Sequence, residues 1–311
     1  PFLTPNMRFT ISAATLQVFF ASFAVLPHAV WCQVLDVGFI VDVSGSFNDD
    51  IASFKTQAAE MTASLTAAYP QVQFGLATFQ DFPLGDWGSP SDVPHRLVRD
   101  LGPADDEFMT AVNSLSATGG ADIPESQLTC LYQCITGEGL VVPASLDGGY
   151  TIPPNMGFSW RDRSSRILLL WTDAVFHTPD TTTNYPGPTF DEVITAANDL
   201  NAVIEETRRL QDIESSSVRI TGIQSPGAAS SSVQMELQAL ATGTGAVAGE
   251  GGLDCDGDGT PDIMEGEGIV CPVVNLDSIS SVIVSVVNET VRVISTSAPT
   301  SAPTSAPTSA P

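Results

Sequence analysis

The residues most able to do chemistry lie in Asp42-Val-Ser44-Gly-Ser46-Phe-Asn-Asp49-Asp50, directly after an apolar run. Hard cations such as Mg²⁺ take oxygen ligands in near-octahedral geometry and keep several waters. Two neutral hydroxyls beside one carboxylate supply oxygen without fully neutralising such an ion, which leaves it electrophilic. The competing reading is local: Ser46 as a helix N-cap, with early-turn acids that suit the helix dipole. Two further acidic segments favour the metal. Thr118-Gly-Gly-Ala-Asp122-Ile-Pro124-Glu125 opens a helix, and Trp171-Thr-Asp173-Ala closes an apolar run. Three acidic loops at the same kind of chain position are hard to explain as three independent caps.

A second cluster, residues 254–265, reads Asp-Cys-Asp-Gly-Asp-Gly-Thr-Pro-Asp-Ile-Met-Glu. Counting from Asp254, side-chain oxygens fall at Asp254, Asp256, Asp258, Asp262 and Glu265. Thr260 offers its carbonyl, and Gly259 stands at the sharp turn, which is the EF-hand calcium register. The Gly-rich flanks leave little room for paired helices. The expectation is a calcium-stabilised loop inserted at 250–271, with a structural role.

The elements that must position these groups alternate. Val34–Val43 is a near-continuous apolar run, as expected for a strand buried on both faces of a parallel sheet. Further strands are expected at Gln71–Phe79, Arg96–Leu101 (an edge), Arg166–Thr172 and Val218–Gln224. Helices are expected near Asp49–Ala68, Asp105–Leu115, Glu125–Ile135, Phe190–Gln211, Met235–Ala241 and Asp277–Val293. Strands separated by helices imply a doubly wound α/β domain with a mainly parallel sheet and helices on both faces. Ligands bind such sheets beyond the carboxyl ends of the strands, where the strand order switches.

Asp42-x-Ser44-x-Ser46 resembles the metal-ion-dependent adhesion site of von Willebrand factor A (VWA) domains. The fuller set is similar to the integrin β-subunit I-like domain and hemicentin-type VWA domains, over most of residues 35–295. The resemblance implies a central Mg²⁺ (or Mn²⁺) site from Asp42, Ser44, Ser46, Glu125 and Asp173, with an adjacent Ca²⁺ site at Asp49 and Asp50. A third site would use Asp81, Asp122, the Pro124 carbonyl and Glu125, although Gly120 stands where the integrin pattern has an Asn ligand. It also implies an adhesion or protein-binding module for an extracellular partner presenting Asp or Glu. Selectivity would lie in the loops Phe82–His95 and Gly137–Arg163. The alternative is a calcium-stabilised matrix or wall protein without an exchangeable ligand position.

Charge narrows the partners. Acidic side chains number 36 against 11 basic ones, for a net charge of −25, and Lys55 is the sole lysine. Such a chain repels phosphate backbones and anionic lipid, so nucleic acid is not an expected partner. No nucleophile–base spacing or Gly-x-Ser-x-Gly elbow is present, and the metal loop lacks an evident general base, so catalysis is not expected. His177 is read as structural.

Residues 7–32 read as a signal peptide cleaved before Gln33, since the apolar stretch is short for a membrane span. Secretion or cell-surface display follows, with the VWA-like domain at 33–296 and a flexible Ser-Ala-Pro-Thr repeat at 297–311. Membrane contact is expected only through sequence beyond Pro311. Cleavage leaves Cys130, Cys134, Cys255 and Cys271, an even number suited to an oxidising compartment. Three pairings exist, and local spacing favours 130–134 and 255–271. Asn288-Glu-Thr290 is a glycosylation sequon.

Overall fold

A computed structural model describes residues 34–199, 217–225 and 231–297. The expected signal peptide, the terminal repeat beyond Ser297 and the 200–211 part of the expected Phe190–Gln211 helix lie outside the described residues.

Six strands form one sheet in the order β3-β2-β1-β6-β7-β8. They are β1 (Leu35–Asp42), β2 (Val72–Phe79), β3 (Arg96–Gly102), β6 (Ser165–Thr172), β7 (Val218–Gln224) and β8 (Val270–Pro272). Only β3 runs antiparallel to its neighbour; every other pairing is parallel. Strands β1 and β6 are buried along their whole length, which is why both read as mainly apolar stretches without polar alternation. The chain winds outward from β1 through β2 to β3, then returns to place β6 on the free side of β1. The order therefore switches between β1 and β6, where Leu35 pairs with Ser165 and Val41 with Trp171.

Helices cover both faces. On one lie α1 (Asn48–Ala68), α2 (Asp106–Ser114) and α6 (Ile279–Ser297); on the other lie α3 (Gln127–Thr136), α4 (Phe190–Asp199) and α5 (Ser231–Gly243). Helix α1 buries Ile51, Phe54, Ala58, Met61 and Leu65, spaced three and four apart as one apolar stripe requires. The Asp105 carboxylate caps α2 by accepting the Phe108 amide hydrogen at 3.0 Å. Gly137 ends α3 in the left-handed conformation, φ 63°. Helix α6 is long and apolar enough to cross a membrane. Ile279, Val282, Ile283, Val286 and Val287 nevertheless pack into the core shared with α1.

Three features depart from the sequence expectations. A hairpin, β4 (Leu140–Val142) with β5 (Tyr150–Ile152), lies inside the Gly137–Arg163 loop, where no strand was expected. It packs Val142 with Phe82, Leu84 and Tyr185 in a small satellite core. Strand β8, three residues long, was not expected at all. The third concerns the cysteines: Cys255 pairs with Cys271, but Cys130 and Cys134 are free, buried thiols. The expected 130–134 bridge is thus corrected. Both residues lie on one face of α3, where the helical backbone sets their spacing and packing against β2 holds them.

The 244–269 segment carries no helix. Bridges Leu253–Ile263 and Val247–Gly268 close it, and the disulfide joins it to β8. The Asn288 sequon lies within α6: Asn288 is exposed and accepts a hydrogen bond from Tyr69, whereas Thr290 is buried and bonds the Val286 carbonyl.

Candidate metal centre

The carboxyl end of β1 meets that of β6 at the switch point. Asp42, the last residue of β1, is fully buried. One of its oxygens accepts the Ser44 amide at 2.8 Å and the other the Thr172 hydroxyl at 2.8 Å. Ser44 and Ser46 place their hydroxyls 3.2 Å apart, and Ser46 donates to Asp173 at 3.2 Å. The loop is held from outside as well, since the Gly45 amide donates to the Gly119 carbonyl at 3.2 Å. Ser44 is buried and Ser46 exposed, so the cluster opens outward at Ser46.

Glu125 reaches the same place from another loop. Its backbone bridges Phe176 just past β6, with Glu125 N to Val175 O at 3.0 Å and His177 N to Glu125 O at 2.9 Å. Gly120 separates its carboxylate from Ser44. A β-carbon at Gly120 would lie 3.0 Å from Glu125 Oε1 and 3.5 Å from Ser44 Cβ. Glu125 Oε2 is buried without a hydrogen-bond partner. Burial, reinforced by the charges of Asp42, Asp81, Asp92 and Asp122, pushes the Glu125 carboxyl up to about 10. Burial likewise raises Asp42 to about 7, and raises Asp173. Acids crowded in this way have shed water without gaining a countercharge, and a cation is the ordinary remedy. The donor set, two hydroxyls and three carboxylates, is that of a hard divalent ion.

Of the expected adjacent pair, Asp49 is exposed while Asp50 turns inward. Ser225, just past β7, donates to Asp50, and the Trp171 indole donates to Ser225 at 2.7 Å. Burial raises Asp50 to about 6.

Of the expected third set, Asp81 is buried and Asp122 exposed. His177 stands between them, with Nε2 2.9 Å from Asp81 Oδ2 and 3.2 Å from Asp122 Oδ2. Burial opposes protonation of His177, but the two carboxylates outweigh it and raise its pKa. Asp81 also accepts the Ser126 hydroxyl at 2.6 Å. A histidine thus joins Asp81 and Asp122 of the expected third set.

The sequence reading also passed over Asp92. It is buried, takes the Ser89 amide at 2.7 Å and the Gly120 amide at 2.9 Å, and leaves Oδ1 unpartnered. Its only signal was an acid within a loop already marked for selectivity. Thr172, which orients Asp42, sat unremarked between two singled-out residues.

In the second cluster, Asp254, Asp256 and Asp262 bring carboxylate oxygens within 4.8 Å of one another. Asp254 accepts the Gly257 and Gly259 amides at 2.7 and 2.8 Å, and Asp262 accepts the Cys255 amide at 2.8 Å. Asp258 instead bonds Thr260 through amide and hydroxyl. Gly259 has φ +93°, which only glycine adopts freely. Glu265 lies outside the three-carboxylate group.

No family model and no curated protein matches this chain. Among solved structures it is similar to the SpRpn10 VWA domain, at 11% identity and TM-score 0.40, covering 79% of this chain and 93% of that one. It is also similar to proximal thread matrix protein 1 (PTMP1) from the mussel byssus. Two crystal forms of PTMP1 match at 12% and 14% identity with TM-scores of 0.42 and 0.43, covering 82% of this chain. This chain spans 47% of PTMP1. What the fold and the site themselves define is a doubly wound α/β domain with an oxygen-rich, strand-end cluster at its switch point.

Proposed function

We propose that this is a VWA-type binding module, secreted or displayed at the cell surface. In it Asp42, Ser44, Ser46, Asp173 and Glu125 hold Mg²⁺ or Mn²⁺ and present it to an Asp or Glu carboxylate of an extracellular protein. The observation that carries this reading is the union of Glu125, with its buried unpartnered oxygen, and the hydrogen-bonded Asp42–Ser44–Ser46–Asp173 set. The bound ion supplies an electrophilic centre with an exchangeable position. The chain's own residues do the rest. Asp42 fixes the Ser44 backbone, Thr172 orients Asp42, and exposed Ser46 marks the open side. The process is ligation, with no bond made or broken.

The test is a calorimetric Mg²⁺ titration in saturating Ca²⁺, wild type against Ser44→Ala/Ser46→Ala. A binding event lost in the double variant, at unchanged fold, supports the reading. Identical isotherms reduce the loop to a helix cap.

A second reading, a calcium-stabilised matrix protein with no exchangeable ligand, is favoured by the convergent Asp254, Asp256 and Asp262 carboxylates. There Ca²⁺ would hold the 254–265 loop, and acidic peptides would leave the metal affinity of the switch-point site unchanged.

A further inference from the structure

A third cluster lies away from both acidic sites. His95 immediately precedes β3, while Cys130 and Cys134 lie one turn apart on α3, and all three are buried. His95 Nδ1 sits 3.3 Å from Cys130 Sγ, and all three candidate donor atoms lie within 4.8 Å of one another. The ring is held from its far side, with His95 Nε2 2.8 Å from the Met156 carbonyl oxygen. A carbonyl can only accept, so Nε2 carries a proton and faces away from the sulfurs, leaving Nδ1 as the ring atom that faces them. Metal-binding histidines are oriented this way, by a backbone acceptor on the other nitrogen.

The nitrogen–sulfur distance is compatible with an ion shared by the ring and a thiolate. Zn–S and Zn–N bonds of about 2.3 and 2.0 Å at a tetrahedral angle place the two ligand atoms roughly 3.5 Å apart. The observed nitrogen–sulfur separation is 3.3 Å. Thiolate is the ligating form.

We propose that His95 Nδ1, Cys130 Sγ and Cys134 Sγ form a buried site for one thiophilic cation, Zn²⁺ or Cu⁺, which pins α3 to the segment leading into β3. Thiolate and imidazole ligands select such ions over Mg²⁺ and Ca²⁺. The site thus differs in chemistry from the oxygen-lined clusters. Two thiolates would neutralise Zn²⁺, which suits a buried setting. Binding releases the thiol protons to solvent and changes no oxidation state.

The test uses the folded full chain with its Cys255–Cys271 bridge intact, kept anaerobic and titrated with Co²⁺ in the presence of excess Mg²⁺ and Ca²⁺. The expected result is one equivalent of Co²⁺ giving a thiolate-to-cobalt charge-transfer band, which oxygen sites do not produce. Cys130→Ser/Cys134→Ser should abolish the band. His95→Gln should weaken binding about tenfold or more while leaving sulfur ligation visible. Displacement by Zn²⁺, or by Cu⁺ against a Cu⁺ chelator, identifies which ion the site prefers. The proposal is overturned by natively folded wild type with no charge-transfer band, or by a band that survives in the double serine variant. A Cys130–Cys134 disulfide in the folded chain, with no metal uptake, overturns it equally. Because the wild-type spectrum is decisive, a serine variant that fails to fold does not remove the test.

Discussion

The Asp92 carboxylate accepts the Gly120 amide at 2.9 Å, and through that bond a loop outside the sheet shapes the wall between Ser44 and Glu125. Neighbouring Gly119 lies against the same carboxylate in a left-handed conformation, φ +74°; a β-carbon there would lie 1.8 Å from Asp92 Oδ1. Gly119→Ala should therefore cost about 1–3 kcal/mol in unfolding free energy, from backbone strain and displacement of Asp92. Asp92→Asn should keep the fold but weaken Mg²⁺ binding, because it removes one of the charges crowding Glu125. Denaturant titration and calorimetry measure the two effects. An Asp92→Asn protein with wild-type Mg²⁺ affinity would detach Asp92 from the site.

The buried acids give the metal-free protein a definite pH dependence. Asp50, Asp42 and Glu125 are raised from 3.8, 3.8 and 4.5 to about 6, 7 and 10. Between each pair of values the folded state holds the proton and the unfolded state has lost it, so stability falls as pH rises. In chelator, the melting temperature should drop steadily from about pH 5 to pH 8. With Mg²⁺ and Ca²⁺ present the drop should shrink or reverse, since bound cations favour the ionised acids. A metal-free melting curve that rises over that window contradicts the assignment.

The 254–265 loop has two restraints, the Cys255–Cys271 bridge and the proposed Ca²⁺. The bridge closes a 16-residue separation, which corresponds to about 3 kcal/mol of chain entropy. Cys255→Ser/Cys271→Ser should lose about that much stability. Its loss on calcium chelation should exceed that of the wild type. Asp254→Ala combined with Asp262→Ala should abolish the calcium response in either background. If chelation leaves wild-type melting untouched, the loop is held by its hydrogen bonds and disulfide alone.

Gly38 and Gly75 pair across β1 and β2, and the Phe158 ring lies over both. A β-carbon at Gly38 would sit 2.4 Å from that ring, and one at Gly75 2.6 Å. Gly38→Ala should destabilise by about 1–3 kcal/mol through overpacking. Adding Phe158→Leu should recover part of that loss, as a double-mutant cycle would show. Additive effects would show that the ring is not the obstacle.

Much of this fold is legible in the sequence. Val34–Val43 and Arg166–Thr172 read as buried parallel strands because both faces of β1 and β6 are covered, so most positions are apolar and do not alternate with polar ones. Boundaries slipped by one to four residues at helix ends, as with Ser231–Gly243 against the expected Met235–Ala241, because polar end turns carry no burial signal. The β4–β5 hairpin and β8 were missed for a related reason: three-residue strands are too short to show a period.

By itself the sequence determined the layered α/β class, the strand-end position of Asp42, Ser44 and Ser46, and the register of acids from Asp254 to Glu265. These are local properties, written in spacing and in the alternation of apolar and polar residues. The tertiary structure alone decided which distant residues meet. Strand order set β6 beside β1, bringing Thr172 and Asp173 to Asp42 across some 130 residues of chain. It also put His177 between Asp81 and Asp122, seated Asp92 under Gly120, and gave Cys130 a histidine neighbour 35 residues away instead of a bridge to Cys134. Such meetings depend on the crossover connections and the packing of helices on the sheet, which local spacing does not encode.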